Sequence, residues 1–469
     1  MLFNSWLFPP FLLLVLALYR VLPARAQNAM LLVASYVFYA CWDWRFLGLL
    51  LISTTCDWLL ARAIRREPSR EAARRWVACS VAVNLVFLGF FKYFNFFIDS
   101  ANTLLSGLGL GTWDVQLRVI LPVGISFYTF QSISYIVDVY RGEVEPARNP
   151  IDFALFVAFF PHMVAGPIMR SRDLLPQFQR ERHTTRLQLR EGLWLVLLGF
   201  FKKMVIGDNL AQIVDRVFSS GDHAGATVLL GVYAFAFQIY CDFSGYTDIA
   251  RGVAKFLGVE LMVNFNRPYL ARNPSEFWRR WHISLSSWLR DYLYVSLGGN
   301  RDGRLKTYRN LMVTMILGGL WHGAAWNFVL WGTYHGLLLV LHRLIVVDLK
   351  LWPTPTRLGA WVSRIVMFHA VCYGWLLFRA RSVEQIWSMT KALGSSGWLE
   401  TVAPSGSVVV LLASVLALSA LEAWTGNSDE PSRSPGWRWG VGPLVCSTLV
   451  LCIVILSPPV AQSFIYFQF

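Results

Sequence analysis

The sequence predicts an all-α polytopic membrane protein with re-entrant segments, in one integral membrane domain over residues 1–469. Of these residues, 55% are hydrophobic and only 15% are charged, which excludes an ordinary soluble domain. Many apolar runs approach the roughly 20 residues that a spanning helix needs. The runs lack the strict alternation of a transmembrane barrel, so the pattern favours helices.

Neither the charge nor the cysteines indicate another class of protein. The net charge is +14, but the basic residues cluster in loops beside apolar runs, as they do at the cytoplasmic flanks of membrane helices. We therefore predict no nucleic-acid binding. The seven cysteines lie in or beside apolar runs without the spacing of a zinc site, so neither a disulfide nor a metal site is predicted.

The first apolar run, WLFPPFLLLVLALY, is interpreted as a retained span, because no basic region precedes it and no small-residue cleavage site follows. Arg20 and Arg25 follow it, and the segment ARAIRREPSREAARR after the third span carries six arginines and two glutamates. Both loops are predicted to be cytoplasmic, which places the N-terminus outside. The fourth and fifth spans are expected near residues 76–98 and 119–139.

The next run, IDFALFVAFFPHMVAGPIM, is broken by Pro161 and by Gly166 with Pro167. Basic residues flank both of its ends. Flanks on the same side of a broken apolar run predict a re-entrant element buried in protein, since exposed backbone is too costly in lipid. His162 lies in this run and is a candidate to line a cavity, with a structural hydrogen bond as the alternative.

The remaining runs complete a count of roughly 10 to 12 spans. Spans are expected near residues 193–206 and 226–241, and a long basic stretch at 251–309 is predicted to be cytoplasmic. Residues 311–347 predict two helical pieces hinged near Gly318, Gly319 and Gly323. Further runs lie near residues 360–378, 408–424 and 441–456, and the motif-bearing core covers about residues 119–345.

One helix is predicted from Asn273, because asparagine followed by Pro274 and by Glu276 is a strong start signal. An apolar arc of this helix collects Phe277, Trp278, Trp281, Leu285, Trp288, Leu289, Tyr292 and Leu293. His282 falls inside the arc. It either has a functional role or belongs to an interfacial helix where its ring bonds to a carbonyl.

A second candidate histidine, His322, stands in the stretch GGLWHGAAWN together with Asn327, a candidate cavity-lining residue. An ionisable residue at membrane depth indicates a functional site, and the neighbouring glycines allow a substrate to approach the backbone. Other histidines in apolar runs are expected to be packed and hydrogen-bonded or to lie at an interface: His335, His342 and His369. Loop positions are expected for His183 and His223.

The stretch QIYCDFSGYTDIARG places Asp242 and Asp248 near the cytoplasmic end of a span, with Ser244 and Tyr246 between them. Paired carboxylates can serve as general acid and base, but this spacing does not require a shared helix face. A structural or cavity-shaping role is favoured over catalysis. The sequence has no GxSxG elbow, P-loop or GxGxxG before a helix, so standard hydrolase and nucleotide-binding classes have no support.

Five segments carry a resemblance to a known family: GISFYTFQSISYIVDVYRG, AFFPHMVAGPIMR, YCDFSGYTDIARG, EFWRRWHISLSSWLRDYLYVSLGGNR and GGLWHGAAWNFVLWGTYHG. They resemble the membrane-bound O-acyltransferase family, in particular its bacterial polysaccharide-acetylating branch, over about the first three quarters of the chain. The resemblance implies a multi-helix bundle around a central tunnel, an acyl donor from the cytoplasm and an acceptor outside. The family's invariant histidine corresponds to His322 and its second histidine to His282.

This resemblance implies an O-acetyltransferase of the bacterial inner membrane that modifies an exported polysaccharide such as alginate. The donor is expected to be acetyl-CoA or another acyl thioester, with no permanently bound cofactor. Expected partners are the bilayer, the polysaccharide and a periplasmic protein that accepts or transfers the acetyl group. Arg279 and Arg280 are candidates to attract coenzyme A phosphates, with a solvated basic face as the alternative.

In this reading His322 is the general base that takes the proton of the acceptor hydroxyl, and His282 orients the donor or polarises its carbonyl. D-alanyl or peptidoglycan acyl transfer by the same fold is an alternative. A polymer or proton-coupled transporter, with histidines relaying protons, is a rival of another class. The sequence shows no second copy of the histidine segments, and a purely structural scaffold would leave His322 without a purpose.

Overall fold

A computed structural model describes residues 1–469 except 116, 221–223, 352–355, 396–404, 426–441, 460, 461, 463 and 466–469. His223 therefore lies outside the described residues. The chain divides into two compact units, one of Met1–Arg190 with Val253–Met262 and one of Glu191–Gly252 with Val263–Phe469. The described residues form no strand, which confirms the all-α prediction.

The helices of the described residues are α1 (Phe8–Val21), α2 (Ala24–Asp43), α3 (Leu47–Arg66), α4 (Arg70–Gly107), α5 (Ile125–Arg141), α6 (Pro150–Ala158), α7 (Phe160–Met163), α8 (Ser171–Phe178), α9 (Arg186–Phe200), α10 (Asp208–Ser219), α11 (Gly225–Phe256), α12 (Pro274–Arg280), α13 (Ile283–Trp288), α14 (Arg304–His322), α15 (Trp326–His342), α16 (Arg357–Arg379), α17 (Val383–Leu393), α18 (Ser405–Trp424) and α19 (Gly442–Leu456). Turns of π-helix follow three of them, at Phe201–Gly207, Leu289–Tyr294 and Arg343–Asp348.

Six helical stretches within the described ranges are long and apolar enough to cross a membrane: Ala24–Arg66, Arg70–Gly107, Gly225–Phe256, Trp326–Asp348, Arg357–Arg379 and Gly406–Trp424. Shorter apolar helices occupy Phe8–Val21, Pro150–Met163 and Gly442–Leu456. The protein is thus a multi-pass membrane protein, as the composition predicts. The number of spans stays a prediction.

Buried polar contacts join the helices of the first unit. Asp57 on α3 accepts hydrogen bonds from Ser80 Oγ at 2.7 Å and Asn84 Nδ2 at 3.0 Å, both on α4. The predicted broken run is indeed broken, at Phe159 between α6 and α7, and the residues around the break are buried inside this unit. Its re-entrant path through a membrane stays a prediction.

Glycines allow the backbones of α9 and α11 to touch in the second unit. A methyl group on Gly199 would lie 2.5 Å from the carbonyl oxygen of Gly245, and one on Gly245 would lie 2.7 Å from that of Gly199. Likewise, a methyl group on Gly252 would lie 2.6 Å from the carbonyl oxygen of Gly192. In lipid the hydrophobic effect does not drive helices together, and small residues at such crossings allow the close van der Waals packing that does.

The single helix predicted from Asn273 is wrong beyond its first seven residues. The start is confirmed, because Asn273 Oδ1 accepts the Glu276 N–H at 2.8 Å. The chain then leaves the helix, with Trp281 extended and His282 in the left-handed region at φ 42°, before α13 begins. The break arises because Asn264 supplies acceptors for the first amides of α13, so His282 lies at a junction and not on a continuous arc.

Candidate functional site

His322 is the last residue of α14 and forms part of the wall of a mostly apolar cavity of about 220 Å³. The side chain is 7% exposed. The cavity lies among α12, α13 and the π-helical turn after it, α14 and α15. It is lined by Trp278, Leu285, Ser286, Leu289, Arg290, Tyr294, Leu311, Thr314, Met315, Gly318, His322, Trp331 and Leu339.

Aromatic rings pack edge-on around the His322 imidazole. The ring centroid of Trp331 lies 4.9 Å away, that of Trp321 5.2 Å and that of Phe378 5.3 Å, with interplanar angles between 76° and 82°. These contacts restrict rotation of the imidazole. An imidazole held in one orientation in the wall of a mostly apolar cavity is suited to proton abstraction.

The hinge that the glycines predict lies at Gly323, directly after His322. Helix α14 continues through Gly318 and Gly319 and ends at His322. Gly319 instead brings α14 against α15, since a methyl group there would collide with the carbonyl oxygen of Phe328. Gly318 lines the cavity, with Leu289 Cδ1 3.1 Å from the place of a methyl group.

The second candidate histidine, His282, is fully buried at the junction of α12 and α13. Its Nδ1 lies 3.2 Å from Asn264 Oδ1, and its ring packs edge-on against Phe243 with centroids 4.7 Å apart. Burial lowers the pKa of His282 to about 3, because it disfavours the imidazolium. The ring is therefore neutral at neutral pH.

Trp321 connects the two histidines. Its ring centroid lies 5.9 Å from that of His282 and 5.2 Å from that of His322. The sequence places the two residues 40 positions apart, so their shared contact with one indole is a property of the fold. The structure thus brings together the two residues that the resemblance selects.

The two arginines proposed for phosphate binding differ in their surroundings. Arg280 contacts Glu276 Oε1 through Nη2 at 3.0 Å and donates to the Asn266 carbonyl through Nη1 at 3.3 Å. Arg279 is exposed on α12. Arg280 is therefore engaged in local structure, whereas Arg279 has a head group that a ligand in solution can reach; phosphate binding by either stays a prediction.

Ser244 and Asp248 line a second, smaller cavity of about 40 Å³. Asp248 is paired there with Lys202 Nζ at 2.8 Å, and both side chains are buried. Asn264 also lines this cavity, so a polar space adjoins the hydrogen-bond partner of His282. Ser244 is therefore a cavity-lining residue, but of this polar cavity and not of the one beside His322.

Asp242 belongs to a buried ionic centre that the sequence reasoning missed. Lys203 Nζ lies 2.5 Å from Asp242 Oδ1 and 2.7 Å from Asp208 Oδ1. Asp242 Oδ2 also accepts the backbone N–H of Ile465 at 2.8 Å. The signal was the charged pair in the apolar run GFFKKMVIGD, because a lysine among such residues requires a partner.

The C-terminal segment packs beside this centre. The ring centroid of Phe464 lies 4.7 Å from that of Tyr246 and 5.7 Å from that of Phe243, the residue that contacts His282. Tyr246 therefore contributes to packing behind the candidate site. Its predicted place on a cavity wall stays a prediction.

Two further candidates have structural contacts. His162, in the first unit, has Nε2 3.2 Å from Gln131 Oε1, which is the hydrogen-bonded alternative considered for it. Asn327 Nδ2 donates to the carbonyl oxygens of Phe378 and Ala380, each at 3.1 Å. Asn327 thus joins α15 to the end of α16. A cavity-lining role for either residue stays a prediction.

Both candidate histidines lie within residues 143–378, which match the model of MBOAT, the membrane-bound O-acyltransferase family. The chain belongs to the membrane-bound O-acyltransferase family. Its family and the O-acetylase and O-acetyltransferase names of its relatives show that the protein is a membrane O-acyltransferase. No cluster of three or more metal-binding side chains occurs in the part of the chain that the structure describes.

Relatives in this family carry related names. The chain is 47% identical to the probable alginate O-acetylase AlgI of Azotobacter vinelandii, over 84% of this chain and 78% of that protein. It is 40% identical to the protein of the same name from Pseudomonas putida, over 99% of each chain. It is also 36% identical to the peptidoglycan O-acetyltransferase of Helicobacter pylori, over 80% and 76% of the two chains.

Proposed function

We propose that this O-acyltransferase moves an acetyl group from a cytoplasmic thioester, acetyl-CoA or another acyl thioester, for O-acetylation of an exported polysaccharide such as alginate. The observation that carries the proposal is the apolar cavity of about 220 Å³ with His322 in its wall. The names of the relatives at 40% and 47% identity support acetyl as the acyl group and alginate as the polymer.

His322 acts as the general base. As the acceptor hydroxyl attacks the thioester carbonyl, its proton passes to the imidazole and the new C–O bond forms. The C–S bond then breaks, and the departing sulfur takes the proton from the imidazolium. The apolar walls favour this sequence because they exclude water that would hydrolyse the thioester.

The donor enters from the cytoplasm, where the exposed Arg279 attracts the phosphates of coenzyme A. The acceptor lies outside the bacterial inner membrane, and a periplasmic protein accepts the acetyl group or completes its transfer. This arrangement places the N-terminus outside. Support comes from the arginine-rich loop after α3, which is typical of cytoplasmic flanks.

The test compares variants of His322 in purified protein, by release of free thiol from acetyl-CoA with acceptor present, and in cells, by polymer acetylation. His322→Ala and His322→Gln are both expected to lower transfer by about 10² to 10⁴ while membrane levels stay normal. Glutamine retains hydrogen bonding but cannot take up a proton at neutral pH. Near-normal acetylation by His322→Gln would show that this histidine is structural.

His335 provides a matched control on the adjacent helix. It is fully buried, and its ring centroid lies 4.8 Å from that of Trp331, the same indole that packs on His322. Neither of its ring nitrogens has a hydrogen-bond partner within the described residues. His335→Leu is therefore expected to keep both its membrane level and its transfer rate.

Peptidoglycan is a second candidate acceptor, favoured by the similarity to the Helicobacter pylori protein. The same chemistry at His322 would serve either polymer. Mass analysis of alginate and of peptidoglycan fragments from cells with and without the gene separates the two. Acetyl groups lost from peptidoglycan alone would replace alginate with peptidoglycan in the proposal.

A further inference from the structure

Asn264 presents one oxygen atom to three polar groups at the junction of α12 and α13. Asn264 Oδ1 lies 3.1 Å from the backbone nitrogen of Ser284, 2.9 Å from Ser284 Oγ and 3.2 Å from His282 Nδ1. Asn264 is 1% exposed, and the other two side chains are fully buried. The hydrogen-bond pattern around this oxygen is therefore set by the protein.

The backbone amide of Ser284 identifies which end of the Asn264 amide faces the histidine. A backbone N–H can only donate, so the Asn264 atom that faces it must be the oxygen and not the nitrogen. His282 Nδ1 faces the same oxygen. Two lone pairs at 3.2 Å would repel, so Nδ1 must carry the proton.

The Ser284 hydroxyl does not change this assignment. It lies 2.9 Å from Asn264 Oδ1 and 3.4 Å from His282 Nδ1. The shorter contact is the hydrogen bond, because O–H donors prefer distances below 3.0 Å. If the hydroxyl donated to Nδ1 instead, the nitrogen and the Asn264 oxygen would still face each other with lone pairs.

We propose that Asn264 is a positioning residue that holds neutral His282 in the tautomer with the proton on Nδ1 and the lone pair on Nε2. His282 then accepts a proton or hydrogen bond through Nε2. It does not donate one to polarise a thioester carbonyl, which was one of the two roles expected from the sequence. Any group that hydrogen-bonds to Nε2 in this tautomer has to be an N–H or an O–H.

Asn264 also fixes the backbone that carries the ring. Its carbonyl oxygen accepts the N–H of Ile283 at 2.9 Å, next to the left-handed turn at His282. The same residue thus sets the position of the imidazole and the proton on it. Because burial keeps the ring neutral, the tautomer decides what the ring can do in the reaction.

The tautomer can be observed without any turnover. Protein labelled with ¹⁵N-histidine is measured by NMR in detergent at neutral pH, and the His282 signals are assigned by their loss in His282→Gln. The expected spectrum shows a protonated Nδ1 and an unprotonated Nε2 at His282. A protonated Nε2 in the unmodified protein overturns the proposal.

Two substitutions of Asn264 test whether this residue fixes the tautomer of His282. Asn264→Asp keeps an acceptor oxygen and is expected to preserve the tautomer. Asn264→Leu removes the acceptor and is expected to shift the proton of His282 toward Nε2. We expect kcat to fall about 10²-fold. This loss is smaller than the loss of about 10⁴-fold seen when the tautomer-fixing partner in a catalytic triad is changed. An unchanged tautomer in Asn264→Leu also overturns the proposal. If Asn264→Leu fails to fold, Ser284→Ala provides a milder variant, because it keeps the backbone amide that faces Asn264 Oδ1. Ser284→Ala is expected to retain the proton on Nδ1 of His282. A proton on Nε2 in Ser284→Ala overturns the assignment.

A double-mutant comparison shows whether Asn264 acts through His282. In the His282→Gln background, Asn264→Leu is expected to cause no further loss of transfer, whereas independent effects would multiply. The mechanistic part of this inference rests on the proposed function, but the tautomer does not. The expected NMR spectrum with no acetyl transfer would reject the proposed function alone, and normal transfer with the wrong tautomer would reject this inference alone.

Discussion

The neutral state of His282 makes the protein sensitive to acid. Its pKa is lowered to about 3 by burial, whereas an unfolded histidine titrates near 6.5. The stabilising contribution of the neutral ring is complete above about pH 6.5 and is lost as the pH falls toward 3, because only the unfolded chain takes up the proton. By pH 5 the loss amounts to about 2 kcal/mol.

This linkage predicts a difference between the unmodified protein and His282→Gln. The thermal unfolding midpoint in detergent is measured from pH 7.5 to pH 5. The unmodified protein is expected to lose more stability over this range, since glutamine does not titrate. Parallel pH profiles for the two proteins would contradict a neutral buried imidazole at this position.

Among the elements, the α14–α15 pair depends on contact between backbones. Methyl groups on Gly319 and Gly332 would collide with the carbonyl oxygens of Phe328 and Met315. Backbone atoms cannot move aside as a side chain can, so Gly319→Ala and Gly332→Ala are each expected to cost about 1–3 kcal/mol. Lower thermal midpoints and membrane levels would show this effect.

Gly406 supplies the control for these glycines. It lies in α18, and among the described residues no atom outside its own stretch of helix lies within 4 Å of the place of a methyl group. Gly406→Ala is expected to leave the thermal midpoint nearly unchanged. If Gly319→Ala behaved like this control, the close packing of α14 on α15 would be refuted.

The ionic centre around Lys203 is an element-scale feature because it joins the turn after α9, α10, α11 and the C-terminal segment. Lys203→Met leaves the carboxylates of Asp208 and Asp242 buried together without their cation. Removing one member of a buried pair typically costs about 3–5 kcal/mol. Asp242→Asn is expected to cost less, because the amide oxygen can still accept the Ile465 N–H and Lys203 keeps Asp208.

Thermal unfolding in detergent ranks these variants, with Lys391→Met as a control at an exposed lysine of α17. The expected order of stability loss is Lys203→Met, then Asp242→Asn, then Lys391→Met. A Lys203→Met protein as stable as the control would show that the buried cation is dispensable.

The junction of α12 and α13 shows where sequence reasoning stops. The start of α12 follows from Asn273 and Glu276, which are three residues apart and interact locally. The break at His282 depends on Asn264, 18 residues away, and the apolar pattern continues across it without interruption. Local patterns predict helices, but a remote acceptor that ends one helix and starts the next leaves no periodic signal.

At the scale of the whole molecule, composition and charge carry the most information. The membrane class, the helical fold and the two histidines follow from the sequence and its resemblance. The pairing of Lys203 with Asp242 does not, because the two residues lie 39 positions apart and carboxylates occur elsewhere in the chain as well. Contacts between distant segments depend on helix packing, which single-sequence patterns do not encode.

The orientation of the chain gives a whole-molecule prediction. Ser69 is exposed in the loop between α3 and α4, where arginines predict the cytoplasmic side. In Ser69→Cys, a membrane-impermeant thiol reagent is expected to label this position only after the cells are opened. The unmodified protein measures background from its own cysteines. Labelling in intact cells would reverse the predicted topology.

The left-handed backbone conformation of His282 carries a cost in stability at a residue that is proposed to take part in the reaction. The described non-glycine residues with positive φ are Arg267, His282 and Lys350. This conformation costs about 1–2 kcal/mol for most side chains. Glycine adopts this conformation without a steric cost, so His282→Gly would recover part of that cost while removing the imidazole. Under the role proposed for His282, a library screened for expression or heat resistance alone would therefore enrich inactive proteins at this position, and engineering of this enzyme has to select for turnover at the same time.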